Sequence, residues 1–174
     1  MLMHKAYKQF IAAEAACLVE ILDADGRPFM LMSLEQAFGQ GLRHQLTASL
    51  LLDRQGRLYL FQRAKQSPFF PELWDIPLAA VQAGEAPLDA ALRSIYAELR
   101  VRPSHCLPVA VKDGPSPELL VFRAFAPSQI PAPDNPLLEK LLCVGKKEMR
   151  MLLRDFPAQL SPLLRAVSEV FLKG

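Results

Sequence analysis

The stretch LWDIPLAAVQAGEAPLDAALRSIYAELRV, residues 73–101, contains the pattern that decides the fold. From Pro87 onward its apolar residues recur at helical spacing, and proline is favoured at the first position of a helix. The spacing therefore predicts a helix over about residues 87–100 that packs against a sheet. The predicted apolar face consists of Leu88, Ala91, Leu92, Ile95 and Leu99.

The stretch resembles the Nudix box, G-x5-E-x7-R-E-U-x-E-E-x-G-U, in which U is a bulky aliphatic residue. Glu85 takes the first Glu place, Arg93 takes the Arg place and Glu98 takes the last Glu place. The resemblance implies that Glu85 and Arg93 pair with each other and brace the loop that precedes the helix. The other matching residues are Trp74, Pro77, Gly84, Ile95 and Val101.

Four places depart from the Nudix pattern. Ser94 and Ala97 stand where two Glu are expected, and Ala79 and Arg100 stand where two Gly are expected. In the family, Glu side chains near the end of the helix hold Mg²⁺ or Mn²⁺, which neutralises phosphate charge and activates the attacking water. Glu98 alone predicts a weak metal site unless other carboxylates assist it. The candidates to assist it are Glu85, Glu118 and Glu139.

A helical wheel tests whether the lost carboxylates could be restored. With Leu88 at zero, Glu98, Ser94 and Ala97 fall at about 280°, 240° and 180°, on one flank beside the predicted apolar face. Replacing both Ser94 and Ala97 by Glu is predicted to restore a metal site. The cost to the fold is predicted to be small if that flank faces solvent or an open cleft.

Two further residues are candidates for substrate binding. Arg63 ends a predicted strand where the family often has basic residues that meet phosphate, although a solvated strand end fits the sequence equally well. Trp74 is suited either to stacking on a nucleobase or to core packing. His44 resembles a metal ligand of isopentenyl-diphosphate isomerases, but the catalytic Cys of those enzymes falls at Leu78, which cannot transfer protons.

The Nudix resemblance covers roughly residues 44–150 and implies an α/β/α sandwich with a mixed sheet. We expect one domain over residues 1–174, since this length suits a single substantial core. Strands are predicted at 17–22, 27–32, 44–52, 58–61 with its end at 62–64, 107–111, 119–125 and 141–144. Further helices are predicted at 4–16, from the cap Ser33 to Gly39 or Gly41, at 146–153 and at 162–172.

Composition narrows the function classes. The net charge of +2 does not by itself predict binding to nucleic acid or membrane, and neither is expected. Three cysteines without CxxC spacing favour reduced thiols in a cytoplasmic protein. An oligomer is compatible with the sequence, through the proline-rich segment 128–136 or the C-terminal helix.

Two functional hypotheses remain from the sequence. The first is a metal-dependent hydrolase of small diphosphate or nucleotide ligands that uses Mg²⁺ or Mn²⁺ and has weakened or lost activity. The second is a non-catalytic Nudix module that binds a nucleotide or a protein. They differ in whether a carboxylate from outside the helix converges on Glu98.

Overall fold

A computed structural model describes residues 17–67, 70–109, 118–132 and 134–174, so the helix predicted at 4–16 lies outside the described residues. A 3-10 turn, Pro157–Gln159, separates the last two helices. In chain order the elements are β1 Leu18–Leu22, β2 Pro28–Ser33, α1 Leu34–Gly39, β3 Leu46–Leu52, β4 Leu58–Arg63, β5 Trp74–Asp75, β6 Leu78–Ala80, α2 Pro87–Leu99, β7 His105–Val109, β8 Leu119–Phe125, β9 Leu138–Val144, α3 Lys146–Asp155 and α4 Pro162–Lys173.

The main sheet is mixed and is built around β3. Strand β8 runs parallel to β3 along its whole length, and β6 pairs antiparallel with the first residues of β3. The predicted hairpin is present, but β3 and β4 pair at Leu52 and Leu58 and then diverge. Strand β4 continues between β5 and β9. Strands β5 and β6, which the sequence analysis did not assign, therefore fill the gap between the diverging strands.

Helices cover both faces of this sheet. The box helix α2 buries Ile95 and Leu99 in a cluster with Leu51 and Ala124 of the sheet. On the other face, α3 and α4 pack in a separate cluster that contains Met149 of α3 and, from α4, Leu164, Val167 and Phe171. This arrangement confirms the predicted α/β/α class with a mixed sheet.

The orientation of α2 differs from the prediction. Ile95 and Leu99 are buried as expected, but Leu92 is only half-buried and Leu88 is 40% exposed. The prediction that Leu92 is buried was wrong because small residues on the neighbouring flank approach the sheet instead. The remaining buried residues of the helix are Ala90, Ala91 and Ser94.

This rotation changes the environment of the box positions. On the wheel that places Leu88 at zero, the buried residues centre on about 290°, close to the position of Glu98 at about 280°. The flank of Ser94, Ala97 and Glu98 is therefore largely the packed face of the helix, so the condition for a small fold cost is not met at Ser94. Ser94 is 3% exposed, whereas Ala97 at the edge of the flank is exposed.

Local sequence signals explain the ends of the shorter elements. Ser33 caps α1 by accepting a hydrogen bond from the Gln36 backbone N–H, and Ser161 caps α4 by accepting one from Leu164.

Strands β1 and β2 form a separate two-stranded sheet. Among the described residues, no helix is long and apolar enough to cross a membrane.

Candidate functional site

The predicted pair of Glu85 and Arg93 is present and ties the box loop to the helix. Arg93 Nε lies 2.8 Å from Glu85 Oε1, and Arg93 also donates to the Ala80 carbonyl. Glu85 in turn accepts a hydrogen bond from the Gln82 backbone N–H. Burial acts to raise the pKa of Glu85, but the hydrogen bonds from Arg93 and Gln82 lower it below its ordinary value. The pair therefore connects three points of the segment between β6 and α2.

Arg63 is a fully buried charged residue of the site, with 1% exposure, and its partner Asp75 is 0% exposed. Its Nε donates to Asp75 Oδ2 at 2.7 Å, and its Nη2 lies 2.9 Å from Glu98 Oε1. The guanidinium thus connects β4 to β5 and to the box helix. Arg63, a candidate for phosphate binding from the sequence, is therefore buried inside the protein.

Electrostatics keep Arg63 charged. Burial acts to lower the pKa of Arg63, but the Glu98 and Asp75 carboxylates raise it by more, so the net pKa lies above the ordinary value. Asp75 also accepts a hydrogen bond of 2.5 Å from the Ser161 hydroxyl at the start of α4. A continuous polar chain therefore runs from α4 through the sheet to α2.

The sequence analysis missed Asp75 as a member of this site. The available signal was an acidic residue between Trp74 and Ile76 in an otherwise apolar run. An aspartate in a buried strand requires a partner, because an isolated buried carboxylate is strongly destabilising. The pattern does not identify the partner, since Arg63 lies twelve positions earlier, on a different strand.

The three box places that should supply the family's carboxylates hold Ser94, Ala97 and Glu98. The Ser94 hydroxyl donates to the Ala91 carbonyl at 2.8 Å, and Ala97 carries no polar side-chain atom. Glu98 is 13% exposed at its side chain and already has a cationic partner in Arg63. Little carboxylate oxygen is therefore available on this flank for a hard cation.

The candidate carboxylates from outside the helix do not gather at Glu98. Glu118 pairs with Arg43, a residue that also donates to backbone carbonyls near the first hairpin turn. Glu139 is an exposed residue of β9. Within the described residues, no group of three or more His, Cys, Asp or Glu side chains is arranged to hold a metal ion.

His44 is 7% exposed, and its Nδ1 lies 2.9 Å from the Leu42 carbonyl oxygen. Burial lowers the pKa of His44, while the Leu42 carbonyl and the Glu118 charge act in the opposite direction. The ring is therefore engaged in a local contact at the entry to β3. Glu118 is an acidic neighbour of the ring.

Ala79 and Arg100, which stand where the family pattern has glycine, have different backbone conformations. Ala79 lies in β6, pairs with Thr47 and has no unusual backbone angle, so glycine is not required there. Arg100 instead caps the C-terminus of α2 in the left-handed region, with φ of 55°. That conformation favours glycine, which the family pattern places at this position. Gly84, which the chain retains, also has a positive φ of 75°.

Trp74 borders an open cavity of about 1080 Å³ beside β4 and β9. Its ring is half-buried and packs against the core cluster on the α3 and α4 side of the sheet. A second aromatic residue, Tyr59, also lines the cavity. The charged residues around it are Asp53, Arg54, Arg57, Glu139 and Lys140.

Comparison with known proteins identifies the family. The NUDIX domain family model matches residues 42–144, which is more than half of the chain. This protein therefore belongs to the Nudix family. Nudix hydrolases act on nucleoside-diphosphate-linked substrates and generally use a divalent metal ion.

The chain is also similar to individual proteins. It is 30% identical over 108 residues to an RNA pyrophosphohydrolase of Francisella philomiragia, a match that spans 62% of this chain and 59% of the relative. Among solved structures, DR0079 from Deinococcus radiodurans has a TM-score of 0.67 at 17% identity and covers 90% of this chain and 98% of its own. Tm1382, a putative Nudix hydrolase, has a TM-score of 0.62 at 10% identity, with coverage of 90% and 97%. These two structures support the fold alone.

The side chains present do not fit the divalent metal that the family generally uses. Mg²⁺ requires several oxygen ligands in near-octahedral geometry and is commonly bound through carboxylates. Here Glu98 is paired with Arg63, Glu85 with Arg93 and Glu118 with Arg43. These three carboxylates therefore do not offer a hard cation a shared set of ligands.

Proposed function

We propose that this protein is a Nudix domain in which metal-dependent hydrolysis of nucleoside-diphosphate-linked compounds is weakened or lost. The observation that carries the proposal is the contact of 2.9 Å between Arg63 and Glu98. A buried guanidinium pairs with the last box carboxylate, and Ser94 and Ala97 supply no further carboxylate. The fold is retained, together with the Glu85–Arg93 brace.

A ligand-binding role without catalysis is the second candidate. It is favoured by the open cavity beside the half-buried ring of Trp74, whose lining also includes the cationic Arg54 and Lys140. Aromatic faces suit a nucleobase, and guanidinium groups suit phosphate. Trp74 is proposed as the aromatic contact for a nucleotide, and Glu139 as a residue at the rim of the same cavity.

Hydrolysis and binding can be separated experimentally. Phosphate release is measured with nucleoside di- and triphosphates, dinucleotides, sugar nucleotides and 5′-triphosphorylated RNA, each with Mg²⁺ and with Mn²⁺. The proposal expects release close to the uncatalysed rate across the panel. A turnover typical of enzymes, about 1 s⁻¹ or faster with any substrate of the panel, would overturn the proposal.

Binding is measured with the same ligands through the fluorescence of Trp74, the single tryptophan of the chain. A nucleotide in the neighbouring cavity is expected to change this emission in a saturable way. The free amino acid analogue N-acetyltryptophanamide corrects for light absorbed by the ligand, and inorganic phosphate tests the contribution of the base. Saturation without hydrolysis supports the binding module, whereas an unchanged emission with every ligand contradicts it.

A further inference from the structure

The C-terminal end of α2 carries two arginines over one tyrosine ring. The Arg100 and Arg102 Cζ atoms lie 5.6 and 5.4 Å from the centroid of the Tyr96 ring. Both distances are within cation–π range. Tyr96 is 44% exposed, and the two arginines are exposed as well. Two like charges held at one ring repel each other, so a bound anion would stabilise the arrangement.

These residues border a cavity of about 320 Å³ that is closed on its other side by the segment 127–131. Ser128 and Gln129 from that segment add a hydroxyl and an amide to the lining. The described residues that line the cavity include two arginines and no Asp or Glu. Within the described part of the chain, the ion pairs do not involve Arg100 or Arg102.

The backbone of Arg100 gives an independent observation. Its φ of 55° and ψ of 27° place it in the left-handed region at the end of the helix. Glycine would form the same cap without the steric strain that a Cβ atom introduces there. Among the described residues, no ion pair of the Arg100 side chain offsets this strain. Strained residues of this kind occur preferentially at functional positions, which directs attention to the cationic side chain.

The cavity is separate from the box carboxylate. On the helical wheel with Leu88 at zero, Tyr96 and Arg100 fall at about 80° and 120°, and Glu98 falls at about 280°. The two groups therefore occupy opposite sides of α2. A ligand in this cavity does not depend on whether the box side of the helix supports hydrolysis.

We propose that the cavity formed by Tyr96, Arg100, Arg102 and the segment 127–131 is a binding site for phosphate groups. A guanidinium presents paired N–H donors that match the oxygen atoms of a phosphate, and the tyrosine ring restricts both guanidiniums. The phosphate belongs either to the phosphodiester backbone of single-stranded RNA or to a small compound such as pyrophosphate. The low net charge of the chain gave no sign of this site, because the site depends on local charge.

The test uses the full chain and a fluorescently labelled single-stranded RNA of about ten nucleotides, a length within the usual range of such sites. Binding is followed by anisotropy at several salt concentrations for the wild type, Arg100→Gly and Arg102→Ala. Each substitution is expected to weaken binding and to reduce the slope of log K against log salt by about 0.7. Arg165→Ala, an exposed arginine of α4 on the opposite face of the sheet, is the matched control and is expected to bind as wild type.

Arg100→Gly separates binding from folding, because glycine relieves the strained backbone and the variant is expected to melt at or above the wild-type temperature. Tyr96→Phe keeps the ring and is expected to retain binding, whereas Tyr96→Ala is expected to lose it. Competition by inorganic pyrophosphate at a small excess would assign the site to small phosphates. RNA binding that pyrophosphate does not displace would assign it to the phosphodiester backbone. Wild-type affinity in both arginine variants, or no binding of RNA and pyrophosphate by the wild type, would overturn the proposal.

Discussion

Arg63 occupies the strand end where a phosphate contact was expected, yet its guanidinium is directed into the protein. It contacts Asp75 at 2.7 Å and Glu98 at 2.9 Å, and it is 1% exposed. A buried ion pair does not necessarily raise stability relative to apolar residues, but the loss of one partner leaves an unpaired buried charge. Residue 63 therefore provides the one cationic side chain that Glu98 and Asp75 share.

The first prediction concerns Arg63→Met. We expect a decrease of about 3–5 kcal/mol in the free energy of unfolding, because two carboxylates lose their common cation. Urea denaturation measures this change. Combining Arg63→Met with Glu98→Gln should recover part of the loss, since one of the two unpaired charges is then absent. A loss below about 1 kcal/mol for the single variant would mean that solvent reaches the pair, as it does in surface ion pairs.

The second prediction concerns Glu85, whose pKa is lowered below its ordinary value of 4.5. A carboxylate with a lowered folded-state pKa stabilises the protein above its unfolded-state pKa, and that contribution disappears as the pH falls through the folded-state value. Glu85→Gln should therefore melt below the wild type at neutral pH. The difference between the two melting temperatures should shrink as the pH falls below about 4. A difference that is the same at both pH values would show that the ionised pair with Arg93 is not its cause.

The limits of helix α2 could be predicted from the sequence, but the rotation of the helix about its own axis could not. Pro87 at the first position and the spacing of Ile95 and Leu99 fixed its limits and part of its buried face. Its rotation depends on how closely Ala90 and Ala91 approach the sheet, which is a property of the packing partner. Glu98 and Ser94 consequently lie on the packed side.

The third prediction compares two substitutions on this helix. Ala97→Glu places a carboxylate at an exposed position and should change the free energy of unfolding by no more than about 0.5 kcal/mol. Ser94→Glu places one at a position that is 3% exposed and should lower it by several times that amount. Thermal denaturation of both variants decides the point. Equal stability of the two variants would mean that Ser94 also lies on a solvent-facing flank.

Helix α4 joins the same polar chain through Ser161. Its hydroxyl donates to Asp75 and accepts a hydrogen bond of 3.0 Å from the Leu164 backbone N–H. The fourth prediction is that Ser161→Ala lowers the free energy of unfolding by about 1–3 kcal/mol, since it removes a helix cap and a buried partner of a carboxylate. Denaturation measured with Ser168→Ala, a buried serine of the same helix that does not cap it, provides the control. An equal loss in both variants would contradict the special role of the cap.

At the scale of the whole molecule, the order of strands and helices followed from periodicity, turns and caps, together with the family resemblance. The sequence did not predict that β3 and β4 diverge after Leu52 and Leu58, because the short strands β5 and β6 resemble the loop that leads into the box. The box residues were located by spacing, and the resemblance implied the Glu85–Arg93 pair, but the partners of Glu98 and Glu118 were not predicted. Asp75 meets Arg63, and Arg43 meets Glu118, through tertiary contacts that no local pattern encodes.

The remaining carboxylates of the box region are divided among three ion pairs and do not form one site. Glu85, Glu98 and Glu118 each lie beside a different arginine, and the pair of Arg63 is buried. In the proposed function, weakened or lost metal binding follows from these ion pairs as well as from Ser94 and Ala97.

The most direct test of this account is a calorimetric titration of the full chain with Mn²⁺ and with Mg²⁺. We predict a dissociation constant in the millimolar range or no measurable heat, because a hard cation finds too few free carboxylate oxygens. Addition of a nucleoside diphosphate to the cell controls for metal that the ligand brings with it. A micromolar site for Mg²⁺ in the protein alone would contradict the account, since the metal would then have displaced Arg63 from Glu98 or found other ligands.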